Sequence, residues 1–201
     1  MCRLCGYGRL YCSILILVAL NYTQSLSFDK YLLQCNKDLL ELSTLVGLSE
    51  VNTLELTNKN DGEVVKYLIA VGLNKGNPYC AAGQYWCFWQ ACKIMKLDYS
   101  NIPIPKTGLA SSIYNYAKAK GDRADAKVKK NDLIIWKKKN SIFGHIERII
   151  EVKGAGWVKT LAFNVSGAVG RKEGVFIKQR NLYHLLSRMR VHGLVGFINS
   201  K

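Results

Sequence analysis

Three polar residues with complementary chemistry lie in order along this chain. Cys80 stands at the beginning of a predicted helix, His145 follows Gly144 at the beginning of a predicted strand, and Asn164 ends the next strand. A thiolate can attack a carbonyl carbon, an imidazole can serve as its base, and a third polar group can orient that imidazole. The unpaired N–H groups at a helix N-terminus also favour a thiolate. The order therefore predicts a cysteine hydrolase.

The elements that must position these residues change character near the middle of the chain. The spacing of apolar residues predicts helices in the first half, with one helix or two short ones in the first range: 28–48, 61–71, 80–96 and 109–120. Short β-rich runs between turn residues predict strands in the second half: 133–136, 145–150, 157–161, 175–178 and 194–198. Helices followed by a meander of strands indicate an α+β fold.

Five short blocks of the sequence, taken in order, resemble the CHAP family (cysteine, histidine-dependent amidohydrolase/peptidase). The blocks are Asn77-Pro-Tyr-Cys80-Ala-Ala, Pro105-Lys-Thr-Gly108-Leu-Ala110, Asn131-Asp-Leu-Ile-Ile-Trp136, Gly144-His145-Ile-Glu-Arg-Ile and Thr160-Leu-Ala-Phe-Asn164. The resemblance extends over about residues 61–198. It implies a papain-like cysteine hydrolase fold, with N-terminal helices packed on an antiparallel sheet of about five strands. It also implies cleavage of amide bonds in bacterial peptidoglycan, as an amidase or an endopeptidase.

The resemblance implies a role for each polar residue. Cys80 matches the nucleophile of the family, His145 its general base, and Asn164 the residue that orients the imidazole. The chain departs from the family pattern at two positions. Ala162 stands where members often have an acidic residue, and Glu147 stands where they often have glycine. Side chains alternate along a strand, so Glu147 is expected on the face that carries His145, where it either compensates electrostatically or faces solvent.

Four further residues are predicted to bind substrate: Thr107, Gly108, Trp136 and Glu147. The loop at Thr107 and Gly108 and the indole of Trp136 are candidates for the walls of a cleft, although core packing also suits Trp136. No metal or cofactor is predicted, because the cysteines after residue 27 form no Cys-x-x-Cys pair and no histidine lies close to them in sequence.

The N-terminus has the pattern of a signal peptide. Arg3 and Arg9 accompany a short apolar run over 12–20, and Ser25 and Ser27 offer small residues for cleavage. An uncleaved anchor is the alternative. The predicted organisation is a signal peptide over 1–27, a helical segment and linker over 28–60, and a CHAP-like catalytic domain over 61–201. The mature protein is then secreted, periplasmic or in the cell envelope, without integral membrane association.

Removal of that segment would leave four cysteines in the mature chain: Cys35, Cys80, Cys87 and Cys92. The last three share one predicted helix, where bridges among them are geometrically difficult. Buried free thiols are the ordinary interpretation of Cys87 and Cys92. A bridge from Cys35 to either of them is the alternative.

The chain is strongly basic, with 29 Lys and Arg against 14 Asp and Glu and a formal charge of +15. Residues 118–139 alone hold nine Lys or Arg against three Asp, a net of +6. Such a surface favours nucleic acid, anionic lipid or an anionic cell envelope, unless it is only a solvated face. No nucleic-acid-binding motif accompanies the charge, so peptidoglycan, and no specific nucleic acid, is the expected partner. The oligomeric state is left open.

Two alternatives to a secreted hydrolase follow from the same residues. One is a non-catalytic wall-binding module on the same fold, which the missing acidic residue at Ala162 favours. The other is an antibacterial toxin delivered into competing cells, with the same chemistry but no signal peptide.

Overall fold

The fold is taken from a computed structural model that describes residues 28–167 and 172–199. The predicted signal peptide over 1–27 lies outside the described residues. The helices are α1 (Lys37–Ser49), α2 (Val65–Ala70), α3 (Cys80–Met95) and α4 (Ala110–Lys120), with a 3-10 turn at Tyr99–Asn101. The strands are β1 (Asp29–Cys35), β2 (Asp122–Ala124), β3 (Leu133–Lys137), β4 (Gly144–Gly154), β5 (Trp157–Ser166), β6 (Glu173–Asn181) and β7 (Arg190–Asn199).

The strands form one mixed sheet in the order β2-β1-β7-β3-β4-β5-β6. Strands β1 and β7 pair in parallel, and the other neighbours pair antiparallel. The α+β class is confirmed. The prediction of an antiparallel sheet of about five strands is corrected to seven described strands with one parallel pair. Five of the seven contain the predicted β-rich runs, and β1 and β2 are additional.

Strand β1 replaces the beginning of the helix predicted over 28–48. Its buried residues Tyr31, Leu33 and Cys35 recur with the period of a strand and face the main core. The sequence expectation failed because adjacent leucines fit a helical stripe as well as an inner strand. Asn36 then ends the strand and begins α1, since its side chain accepts a hydrogen bond from the Leu39 N–H at 3.0 Å.

Helix α3 lies at the centre of the domain, between the sheet, α1 and α2. Eleven of its sixteen residues are buried, as its bulk of apolar residues predicted. Gly83 allows the close approach to the sheet, because a Cβ there would overlap the ring of Phe163. The beginning of α3 is thereby fixed against β5, next to the strand that carries His145.

The sheet has a second apolar cluster besides the core beneath the helices. The cluster comprises Ile134, Trp136, Ile149, Val158, Leu182 and Leu194. Strand β4 therefore has buried residues on both faces: Ile146 belongs to the helix-side core, and Ile149 to the second cluster. His145 and Glu147 share the strand face of Ile149, by the alternation of side chains along β4.

Across the described ranges 28–167 and 172–199, we find no helix with the length and apolarity required to cross a membrane.

Candidate functional site

The first site residue, Cys80, occupies the first position of α3. The turn before it, through Asn74 and Pro78, prevents an earlier start because proline restricts the residue that precedes it. Cys80 is 4% exposed and lines a cavity. The first N–H groups of an α-helix have no partner within the helix and carry partial positive charge. The Cys80 sulfur thus lies where a negative charge is favoured.

The second residue, His145, begins β4 immediately after Gly144. A Cβ at Gly144 would overlap the carbonyl oxygen of Trp136, so glycine is required for β4 to pair this closely with β3. The imidazole is 8% exposed. Burial lowers the pKa of His145, but hydrogen bonds and charge interactions with Cys80 and Glu147 outweigh it and raise the pKa to about 9. At neutral pH the ring is therefore protonated.

The third group on the imidazole is Glu147. His145 Nε2 lies 3.0 Å from Glu147 Oε1. The carboxylate is fully buried, accepts a hydrogen bond of 2.5 Å from the Thr160 hydroxyl, and forms an ion pair with Arg180 at 2.7 Å. Burial raises the pKa of Glu147, but the hydrogen bonds and charges of His145 and Arg180 outweigh it and lower the pKa to about 2. Glu147 is consequently ionised at any physiological pH.

Together these contacts join a helix-borne thiol, an imidazolium and a buried carboxylate. The carboxylate fixes the ring orientation and stabilises its positive charge, which are the functions of the third member of a catalytic triad. The imidazolium in turn places a positive charge beside the Cys80 sulfur. A thiol, an imidazole and a carboxylate in this arrangement are the groups that nucleophilic cleavage of an amide requires.

Asn164 contacts the residue before Cys80, and among the described residues it makes no hydrogen bond to the His145 ring. Its Oδ1 accepts from the Tyr79 N–H at 3.3 Å, and its Nδ2 donates to Asn60 Oδ1 at 2.7 Å and to Glu55 Oε1 at 3.4 Å. It has a positive φ of 58°, which asparagine tolerates better than most residues. These contacts connect Asn164 to Tyr79, the residue before Cys80, while the imidazole is held by Glu147.

A cavity of about 480 Å³ lies in front of Cys80. Two of the residues predicted to bind substrate, Thr107 and Gly108, line it. The other lining residues are Val71, Leu73, Asn77, Pro78, Lys106, Leu109, Ala110, Phe143 and Gly144. The Thr107 hydroxyl accepts a hydrogen bond from the Leu109 N–H at 3.1 Å and so shapes this wall. The cavity is therefore open to the nucleophile and has mainly apolar walls with one cation, Lys106.

The other two predicted substrate-binding residues do not line this cavity. Trp136 is 1% exposed and belongs to the second apolar cluster, with its ring centroid 6.1 Å from that of His145. Glu147 is fully buried behind the imidazole. Both side chains are too buried to contact a substrate, so the prediction that Trp136 and Glu147 bind substrate is corrected.

Sequence reasoning missed two residues that hold the carboxylate. Arg180 and Thr160 belong to β6 and β5, and their contact with Glu147 depends on the pairing of β4, β5 and β6. For Glu147 itself, the sequence offered one signal, the alternation of side chains along a strand, which places it on the same face as His145. The motif blocks contain no signal for Arg180, which comes 33 residues later in the chain.

The four described cysteines are all free and buried, so no bridge joins Cys35 to Cys87 or Cys92. Burial raises the pKa of Cys35 and of Cys87 to about 12 in each case. The described parts of the chain contain no group of three or more His, Cys, Asp and Glu side chains arranged to hold a metal ion. Among the described thiols, Cys80 alone lines the cavity of about 480 Å³ and contacts the His145 ring.

Comparisons with protein-family models, with curated proteins and with solved structures find no match to this chain. The resemblance to the CHAP family accordingly depends on the five sequence blocks. The chemistry of the site depends on the contacts among Cys80, His145 and Glu147.

Proposed function

We propose that this protein is a cysteine hydrolase that cleaves amide bonds in bacterial peptidoglycan. The observation that carries the proposal is the position of His145, which contacts both the Cys80 thiol and the buried Glu147 carboxylate. A histidine buried for structural reasons alone would not require a thiol at a helix N-terminus on one side and an ionised carboxylate on the other. The open cavity beside Cys80 gives a substrate access to the sulfur.

The reaction follows from these three residues. The Cys80 thiolate attacks the amide carbonyl carbon, and the electron pair of the C=O bond moves onto oxygen. The Cys80 backbone N–H, in the unpaired first turn of α3, is a donor for that oxyanion. The His145 imidazolium protonates the leaving amine as the C–N bond breaks, which leaves a thioester. Neutral His145 then takes a proton from water, which attacks the thioester and releases Cys80.

The cavity supports a peptide as substrate. Val71, Leu73, Leu109 and Phe143 offer apolar contacts, and Lys106 offers a charge partner for a carboxylate. Stem peptides of peptidoglycan combine small apolar side chains with free carboxylates. A papain-like arrangement, in which a helix-borne cysteine meets a strand-borne histidine, is part of the proposal. So is a location outside the cytoplasm or in the cell envelope.

The test is mass spectrometry of purified peptidoglycan after digestion by the protein, by a Cys80→Ala variant and by a Cys92→Ala variant. Cys92 is a buried thiol on the same helix that does not line the cavity, so its substitution is a matched control. We expect new fragments from the wild type and from Cys92→Ala, and none from Cys80→Ala. The fragment masses identify the cleaved bond.

Two other outcomes would contradict the proposal. Equal fragments from wild type and Cys80→Ala would mean that Cys80 is not the nucleophile. No fragments from either, together with tight sedimentation on insoluble wall material, would indicate a wall-binding module.

A further inference from the structure

A groove with basic walls lies on the surface formed by α4, the end of β3 and the beginning of β7. Two adjoining depressions, of about 690 and 600 Å³, share Lys137 and His192. Besides Arg123, the cations along them come from three segments of the chain. We define the basic groove by Lys118, Lys137, Lys138, Lys139, Arg188 and Arg190.

The described residues provide no carboxylate partner for the charge of the basic groove. Asp29 is the one acidic residue among the lining residues of the two depressions, and it pairs with Arg123 at 2.5 Å. Within residues 28–167 and 172–199, no carboxylate forms an ion pair with the six defining cations. Such a concentration of one sign of charge attracts anions and raises their local concentration.

The register of the sheet places like charges side by side in this groove. Lys137 of β3 is the direct cross-strand partner of Arg190 of β7. Like charges in directly opposite positions destabilise a strand pair. His192 is an extra residue on β7 with no partner on β3, because Val191 pairs with Trp136 and Gly193 pairs with Ile135. A β-bulge of this kind redirects a side chain. A bound anion would relieve the repulsion that this register creates.

The charges also converge on His192, whose ring packs on Tyr114 with the centroids 4.6 Å apart. Burial and the charges of Lys137 and Lys118 lower the pKa of His192 against an opposing effect of Asp29. His192 is therefore a neutral hydrogen-bonding group at the floor of the groove at neutral pH, and the lysines supply the charge.

We propose that the basic groove binds a linear phosphodiester polymer that carries no bases, of the poly(glycerol phosphate) type. Repeated phosphates match cations that are spread over three segments of the chain rather than gathered at one point. Single-stranded nucleic acid would in addition need exposed aromatic rings on which its bases stack. Tyr114 is only 5% exposed and packs on Tyr31 and His192, and Phe28 packs against the second apolar cluster.

The groove adjoins the candidate active site through one turn. Residues 138–143 connect β3 to β4: Lys138, Lys139 and Asn140 line the groove, and Phe143 lines the cavity of Cys80. The Ser111 hydroxyl donates a hydrogen bond to the Ile142 carbonyl at 3.1 Å and holds this turn against α4. If the proposed function holds, a phosphate polymer of the wall would keep the cavity next to its substrate. Binding of the polymer itself does not depend on that function.

The test compares a groove variant with a matched variant of equal net charge. The groove variant is Lys138→Gln/Lys139→Gln/Arg188→Gln. The control, Lys59→Gln/Lys75→Gln/Lys172→Gln, removes three exposed cations outside the groove. Affinity for poly(glycerol phosphate) is measured by titration at several salt concentrations with the full chain, and circular dichroism confirms that each variant is folded.

The logarithm of the binding constant falls with the logarithm of the salt concentration, with a slope of about 0.7 for each phosphate that the protein neutralises. The groove variant removes three cations, so we expect its affinity to fall about 100-fold near 0.1 M salt. The control variant should lose less than about threefold, because its cations act only through long-range charge. Equal losses in both variants would overturn the proposal in favour of an unspecific charge effect. Binding of a poly(dT) strand of equal charge as tightly as the phosphate polymer would overturn it in favour of nucleic acid.

The same titration with Cys80→Ala separates this proposal from the proposed hydrolase. Unchanged polymer binding by Cys80→Ala is expected, whether or not the wild type releases fragments from peptidoglycan. A wild type that binds the polymer but releases no fragments from peptidoglycan would contradict the hydrolase proposal alone. A wild type that releases fragments but binds the polymer weakly would contradict the proposal for the basic groove alone.

Discussion

His145 and Glu147 stand two residues apart on β4, and Nε2 of the first lies 3.0 Å from Oε1 of the second. The same alternation of side chains that brings them to one face also buries both. The carboxylate is further held by Thr160 and Arg180, so it has a fixed position as well as a fixed charge. The orienting group of the imidazole thus comes from the histidine's own strand, and Asn164 of the neighbouring strand is free to bind the helix that carries Cys80.

We expect Glu147→Gln to lower kcat by about 10²- to 10⁴-fold, since an amide orients the ring but leaves the imidazolium without its counter-charge. Asn164→Ala should lower kcat by about tenfold or less, because it loosens the beginning of α3 without touching the ring. The measurement is steady-state kinetics on a soluble stem-peptide substrate from pH 5 to 10.

The pH profile separates a role on the imidazole from a structural role. Loss of the carboxylate removes one of the causes that raise the pKa of His145, so the alkaline limit of activity near pH 9 should move to lower pH in Glu147→Gln. Asn164→Ala should keep the wild-type limit. The reverse pattern, in which only Asn164→Ala shifts the alkaline limit, would show that Asn164 and not Glu147 orients the imidazole.

The sequence predicted the parts of the site that are determined locally. The turn through Asn74 and Pro78 and the dense apolar run after it place Cys80 at a helix N-terminus. The Gly144–His145 pair before a β-rich run predicts the beginning of β4. Both features depend on a few neighbouring residues, which is why propensity and turn chemistry were sufficient.

The parts that depend on strand pairing could not be predicted. Strand β1 is specified by its parallel pairing with β7, whose partner residues come 164 positions later in the chain. The ion pair between Glu147 and Arg180 needs the registers of β4, β5 and β6 together. A single sequence contains periodicity but no register, so the order of strands and the contacts across them become visible only in the folded protein.

The raised pKa of His145 predicts a fall in stability at alkaline pH. A histidine whose pKa rises from 6.5 to about 9 on folding stabilises the folded state fully below about pH 6.5 and loses that contribution as the pH rises through 9. We expect the free energy of unfolding of the wild type to fall by about 1 to 3 kcal/mol between pH 6 and pH 9.5 from this residue. Urea denaturation at each pH measures it.

The control for this effect is His145→Gln, which cannot titrate in that range. Its free energy of unfolding should vary less between pH 6 and pH 9.5 than that of the wild type. Parallel curves for the two proteins would show that other groups cause the alkaline loss. At acid pH the free energy of unfolding depends on Glu147. The contribution of this carboxylate is complete above about pH 4.5 and disappears as the pH falls through about 2.

The different environments of the thiols predict selective alkylation. Burial raises the pKa of Cys35, Cys87 and Cys92, and all three lie in the main core. Cys80 alone among the four lines the cavity and contacts an imidazolium. Iodoacetamide at pH 7 should therefore label Cys80 at least about tenfold faster than the other three in the folded protein. Peptide mapping by mass spectrometry measures each rate.

Unfolding in urea supplies the comparison for the alkylation rates. All four thiols should react at similar rates there, because their environments are lost. If Cys80 reacted no faster than Cys92 in the folded protein, the thiol would be neither accessible nor activated. The hydrolase would then lack its nucleophile.

The turn between β3 and β4 offers a matched pair of variants for the cavity. Ile142 and Phe143 are neighbours with the same exposure of 64%, but Phe143 lines the cavity of Cys80 and Ile142 does not. We expect Phe143→Ala to raise KM by about 3- to 10-fold with kcat nearly unchanged, because an apolar wall binds substrate and transition state alike. Ile142→Ala should leave both constants within about twofold. Both variants should unfold at the wild-type temperature, since neither side chain is buried. An equal rise of KM in the two variants would show that the substrate does not bind in this cavity.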